Sequence, residues 1–235
     1  MIKQVFAAVL VASSLLFTSC ASDRQVVKKI SIMGDSYSTF KNYIPEDYAW
    51  WYAQGVNEGG EHNDVKEVDQ TWWKLLTDTD KYSLEVNDSY SGSTICTTGY
   101  DAKDSTHSAF VTRYKRLGHP DIILIFGATN DSWANSPIGE YKYQDISQED
   151  KKAFRPALAF LLTHIKDYYK KAEVYYILNS ELKDEINESV HTICAHYNVP
   201  IISLHDIDKQ YGHPSIVGMQ AIYEQVDQAL STLHK

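Results

Sequence analysis

The stretch KKISIMGDSYSTF, residues 28–40, decides the fold. It opens as an apolar strand and breaks at Gly34, and Asp35, Ser36 and Tyr37 follow at once. A hydroxyl at such a break is either a plain turn residue or a nucleophile. What lies at the ends of the other strands bears on which it is.

Four more short apolar runs, at 84–86, 122–126, 174–178 and 200–204, read as strands beside 30–33. DIILIF (121–126) and VPIISL (199–204) are near-continuous rather than alternating, as expected of strands buried on both faces of a parallel sheet. Helical patterns lie between them. QTWWKLLTDT suggests one from about Asp69, with Trp72 and Trp73 as packing residues. A long one at 149–170 carries Phe154, Leu158, Leu161, Leu162 and Ile165 on one side, with Pro156 marking a bend or a late start. Segment 181–197 aligns Ile186, Val190, Ile193, Cys194 and Tyr197, and 215–233 aligns Met219, Ile222, Val226, Leu230 and Leu233. Strand–helix alternation of this kind predicts an α/β chain folded as a three-layer α/β/α sandwich on a five-stranded parallel sheet. Two stretches, 38–68 and 128–148, lack regular pattern but are dense in rings, which argues against disorder.

The chain has 235 residues, and the first 19 read as a signal peptide: Lys3, an apolar run, small residues, then Cys20. A Cys directly after Phe17-Thr18-Ser19 resembles a bacterial lipoprotein signal, so the chain is expected to be exported and held to a membrane by lipid on Cys20. Plain secretion with cleavage near Ala21 is the other reading. Residues 20–27 then form an exposed tether and 28–235 a single domain, since no repeat or linker divides them. The net charge of −9, with no basic stripe, argues against a nucleic-acid partner. Cys96 and Cys194 are the remaining cysteines; Cys194 on its apolar stripe reads as a buried thiol, and no zinc spacing occurs.

In open α/β sheets ligands bind beyond the carboxyl ends of the strands. Gly34-Asp35-Ser36 follows the first strand, Asn87 to Gly92 the second, Gly127 to Asp131 the third, and His205, Asp206, Asp208 and His213 the fifth. One rim thus collects a hydroxyl, a small-residue turn, an amide and an imidazole, which are the parts for acyl transfer.

These blocks, Gly-Asp-Ser, Gly92, Gly-Ala-Thr-Asn-Asp and His213-Pro214 in that order, resemble the SGNH hydrolases, the GDSL-type esterases, over residues 29–230. The resemblance implies a flavodoxin-like SGNH hydrolase fold and no metal or cofactor. It implies Ser36 as nucleophile, His213 as general base, and the Ser36 N–H, the Gly92 N–H and the Asn130 side chain as oxyanion donors. Asp35 and Asp131 are given structural roles, holding turns through backbone N–H groups. A metal site built from His205, Asp206, Asp208 and His213 is disfavoured, because the zincin spacing is absent.

The pattern departs at one place. The family's usual Asp, three residues before the His, is here Gln210. Asp208 is the first choice to orient His213, Asp206 the alternate, and Gln210 or a backbone carbonyl the third option, which makes a dyad. The expected reaction is two-step ester hydrolysis through an acyl-enzyme. An export signal and rings near the rim tilt the substrate toward a short-chain, acetyl-type ester on a carbohydrate, with Tyr37, Trp50, Trp51 and Trp133 as substrate-binding residues. A lysophospholipase and a degenerate glycan-binding module are the alternatives.

Overall fold

A computed structural model describes residues 26–233. The proposed signal peptide and Cys20 lie outside the described residues.

Five strands form one parallel sheet: β1 (Lys28–Gly34), β2 (Tyr82–Asn87), β3 (Ile122–Gly127), β4 (Glu173–Leu178) and β5 (Ile201–Ser203), in the order β2-β1-β3-β4-β5. The ladders run Ile30 to Ile122 through Gly34 to Phe126, and Ile122 to Glu173 through Gly127 to Leu178. All five sequence-predicted strands are present.

The strands are apolar on both sides because each side has a helical layer. Ile30, Ile32, Leu124, Phe126 and Ile177 pack with α1 (Trp72–Thr77) and α6 (Ile216–Leu233). Met33, Ile123, Ile125, Tyr176 and Leu178 pack with α2 (Phe110–Arg113), α4 (Phe154–Tyr168) and α5 (Asp184–His196). The expected stripes are buried, Trp72 and Trp73 among them, except that Tyr197 is only partly buried and Leu233, at the last turn of α6, is exposed. Pro156 stands in the first turn of α4, where its missing N–H has no helical partner to lose. Cys96 and Cys194 are free, buried thiols.

Ser36 opens a three-residue 3-10 turn, Ser36–Ser38. Two features differ from the sequence reading. Helix α2 was not foreseen, and α3 (Thr129–Trp133) occupies the start of a stretch read as irregular. Segment 38–68 is ordered by short ladders and side-chain bonds; Asn57 Nδ2 donates to the carbonyls of Asn63 and Val65 at 3.0 and 2.9 Å. Among the described residues no helix is long and apolar enough to cross a membrane.

The parallel ladders bring the loops after β1, β2 and β3 to one edge. Asp88 N–H donates to Ile32 O at 2.8 Å, and Tyr90 N–H to Gly34 O at 3.1 Å. The long segment after β5 returns to the same edge as a two-residue hairpin, Lys209–Gln210 against His213–Pro214.

Candidate active site

The turn after β1 is tight enough to require glycine. A Cβ on Gly34 would lie 2.5 Å from Ser89 Oγ and 2.7 Å from Ser38 Cβ. Asp35 then caps the 3-10 turn, its Oδ1 accepting from Tyr37 N–H at 3.1 Å. Burial pushes this carboxyl up to about 7, further than the Tyr37 N–H pulls it down. The Ser36 N–H makes no internal hydrogen bond among the described residues.

Two further donors are held near it. Gly92 has φ 80°, a left-handed backbone that favours glycine, and a Cβ there would meet nothing within 4 Å. Its N–H also has no internal partner among the described residues. Asn130, on α3, donates through Nδ2 to Ser93 O at 3.0 Å. The Tyr100 hydroxyl donates to its Oδ1 at 2.7 Å. A hydroxyl on one end and a carbonyl on the other fix which way the amide points, leaving one Nδ2 hydrogen to give. Asp131 next door clamps the loop after β2, accepting from Ile95 N–H at 2.7 Å and Cys96 N–H at 3.3 Å. Burial raises its carboxyl to about 6 against those two bonds.

Arg113 ties these turns together from beneath. Its guanidinium is fully buried, pairs with Asp88 at 2.7 Å, and donates to Ser108 O at 2.7 Å and to Gly34 O and Ser93 Oγ at 3.3 Å each.

His213 lies opposite, its Nε2 2.9 Å from Ser36 Oγ. Its Nδ1 is 3.2 Å from the carbonyl of Tyr211. A carbonyl can only accept, so Nδ1 carries the proton and Nε2 offers its lone pair to the Ser36 hydroxyl. Burial lowers the imidazole to about 4, with the Tyr211 carbonyl opposing in part.

The first choice for the orienting acid is corrected. The Asp208 carboxylate accepts from the Ser215 hydroxyl, and Ser215 Oγ caps α6 by accepting from Gly218 N–H at 3.1 Å. Asp206 pairs with His205 at 3.0 Å. The cause is the hairpin. Tyr211 and Gly212 both take positive φ, 53° and 73°, as a two-residue type I′ loop demands. Gln210 therefore stands directly across the ladder from His213, not beside Nδ1. Its side chain turns to Asp64, accepting from the Asp64 N–H at 2.8 Å and donating to Oδ2 at 3.2 Å. The backbone-carbonyl option, a Ser–His dyad, fits this geometry.

Of the rings proposed to bind substrate, Tyr37 is corrected. It is fully buried, and its hydroxyl donates to Gly212 O at 2.7 Å, so it supports the His213 loop from below. Tyr52 donates to Pro214 O at 3.0 Å, and Asn63 Nδ2 to Gln210 O and Pro214 O at 3.2 and 3.1 Å. Trp51 stacks on the His213 ring with centroids 3.4 Å apart and planes 6° from parallel. Trp133 meets it edge-on at 5.8 Å and is 42 % exposed. The Trp50 ring lies 5.1 Å from the Lys41 ammonium, and no ring contact joins it to His213 among the described residues. Tyr100, Arg113 and Asn63 were missed. No local motif marks them, because their value comes from contacts distant in sequence: Tyr100 reaches Asn130, Asn63 reaches Pro214, and Arg113 reaches Gly34. No group of three or more His, Cys, Asp or Glu is placed to hold a metal ion among the described residues.

A sequence model of the GDSL-like Lipase/Acylhydrolase family matches residues 28–230. A Bacteroides ovatus protein named as a GDSL-like lipase is 51 % identical, with TM-score 0.85 over 88 % of this chain and 100 % of its own. One from Bacteroides uniformis is 49 % identical, with TM-score 0.85 over 88 % and 97 %. A family two carbohydrate esterase from Clostridium thermocellum, solved with cellohexaose, shares the fold at 15 % identity and TM-score 0.56, over 87 % and 64 %. A search of curated protein sequences gave no match. The chain belongs to the GDSL-like lipase/acylhydrolase family and is a hydrolase of the serine esterase/lipase type.

Proposed function

We propose that Ser36 and His213 form a catalytic dyad that hydrolyses a short-chain, acetyl-type ester on a carbohydrate. Ser36 Oγ attacks the carbonyl carbon while its proton passes to His213 Nε2. The oxyanion is received by the Ser36 N–H, the Gly92 N–H and Asn130 Nδ2. His213 then protonates the leaving alcohol, and water repeats the cycle on the acyl-enzyme. The carrying observation is the 2.9 Å contact between Ser36 and a His213 whose lone pair faces it.

Two features support the substrate class. Rings stand around Ser36 and His213 in the open: Trp133 beside His213, Tyr211 at 65 % exposed and Tyr100 at 41 %. Such rings suit the apolar face of a sugar, and their polar edges suit its hydroxyls. The fold-level relative from Clostridium thermocellum is a carbohydrate esterase, a likeness that counts as analogy only.

The test is acetate release from acetylated polysaccharides beside hydrolysis of short and long p-nitrophenyl esters, in wild type and Ser36→Ala. Ser36-dependent acetate release supports the reading, and preference for long acyl chains replaces it with a lysophospholipase. Export, with lipid on Cys20 and one domain over 28–235, is proposed from the sequence. Radiolabelled palmitate incorporation that disappears in Cys20→Ala would support it, and wild-type protein free of label would refute it.

A further inference from the structure

A Ser–His dyad leaves one task without an owner. In a triad the carboxylate also stabilises the imidazolium that forms when the nucleophile gives up its proton. Among the described residues the carboxylates of the His213 loop and its neighbour Asp64 are engaged elsewhere: Asp208 with Ser215, Asp206 with His205, and Asp64 with Ile216 N–H and Gln210. Asp35 turns its Oδ1 to the Tyr37 N–H, and its Oδ2 is buried without a partner among the described residues rather than bonded to His213. The remaining neighbours of the imidazole are the neutral Tyr211 carbonyl and the rings of Tyr37, Tyr52, Trp133 and Trp51. Among the described residues only Trp51 lies flat against it.

We infer that Trp51 is a positioning residue that takes over part of the missing acid's work, its indole face stabilising the His213 imidazolium during acyl transfer. This rests on the dyad reading above. When Ser36 Oγ bonds to the carbonyl carbon, its proton moves to Nε2 and the positive charge spreads over a ring parallel to the indole at 3.4 Å. Indole has the strongest ring quadrupole among the aromatic side chains, and the contact is desolvated, which strengthens it. The backbone of Trp51 is also tied to the other half of the dyad. The Trp51 backbone N–H donates to Thr39 Oγ1 at 2.8 Å, and that hydroxyl donates to Ser36 O at 3.0 Å. One residue thus spans nucleophile and base. Its Nε1 is buried without a hydrogen-bond partner, a cost that Phe at this position would avoid.

This differs from the sequence expectation that Trp51 binds substrate, and steady-state kinetics on p-nitrophenyl acetate separates the two. Trp51→Leu should lower kcat about ten-fold with KM little changed, and Trp51→Phe should recover most of the loss. Equal kcat in the Leu and Phe variants would overturn the inference, since shape alone would then suffice. A rise in KM with kcat retained would also overturn it, in favour of a substrate platform. Should Trp51→Leu not fold, fluorinated tryptophans at position 51 alone keep the shape and drain the ring's negative face. A kcat that falls with each added fluorine supports the inference, and an unchanged kcat overturns it. Full turnover in Ser36→Ala, run alongside, would instead remove the dyad itself.

Discussion

Asp208→Asn separates a dyad from a triad. The Asp208 carboxylate receives the Ser215 hydroxyl at the start of α6, while His213 Nδ1 gives its proton to Tyr211 O. Substitution should therefore weaken a helix cap and leave the base in place. A cap-stabilising bond to a solvent-accessible carboxylate is worth about 1 kcal/mol. For a chain of this size that lowers Tm by about 2–4 °C. Turnover of p-nitrophenyl acetate should stay within about three-fold of wild type, against the roughly 10⁴-fold loss that follows removal of a triad carboxylate. Ser215→Ala should cost a similar amount of stability. The double variant should lose less than the sum of the two, because both break one bond. Kinetics at 25 °C and thermal unfolding followed by circular dichroism give both numbers. A thousand-fold fall in kcat at unchanged Tm would refute the reasoning, since it would place Asp208 on His213 in the working enzyme.

Other consequences are open to measurement. The His213 imidazole is lowered to about 4 when folded, against about 6.5 when unfolded, so it is the neutral base down to low pH. The acid limb of kcat/KM should therefore fall near pH 4 rather than 6.5. Stability from this group is complete above about pH 6.5 and declines as pH drops toward 4, because the unfolded chain takes up the proton first. Asn130→Ala should cost about 10²–10³-fold in kcat, whereas Tyr100→Phe, which only frees the amide to turn, should cost about five-fold. Arg113→Met strands the buried Asp88 carboxylate and should lower stability by about 3–5 kcal/mol, seen as a fall in Tm of about 10 °C.

The layer architecture was legible because burial on both faces leaves a strong mark: strands such as DIILIF are apolar throughout, and four helices carry stripes. Ser36, Gly92, Asn130 and His213 were legible as motif residues following strands, and the fold gathers them at one edge. Asp208 misled because sequence distance from His213 does not reveal an intervening I′ hairpin, which sends the carboxylate to the cap of α6. Tyr37 misled for a related reason. A polar ring beside a nucleophile reads as pocket lining, but its hydroxyl is used up on Gly212. Arg113 left no local trace, since its worth lies in reaching Gly34, Asp88 and Ser93 at once.

The central claim is an acyl-enzyme on Ser36 generated by His213. The most direct measurement is intact-protein mass spectrometry after reaction with a fluorophosphonate ester, with the modified peptide sequenced. The account predicts a single adduct on Ser36, absent in Ser36→Ala and formed far more slowly in His213→Ala. An adduct on another residue, or none on folded protein that still turns over p-nitrophenyl acetate, would contradict it.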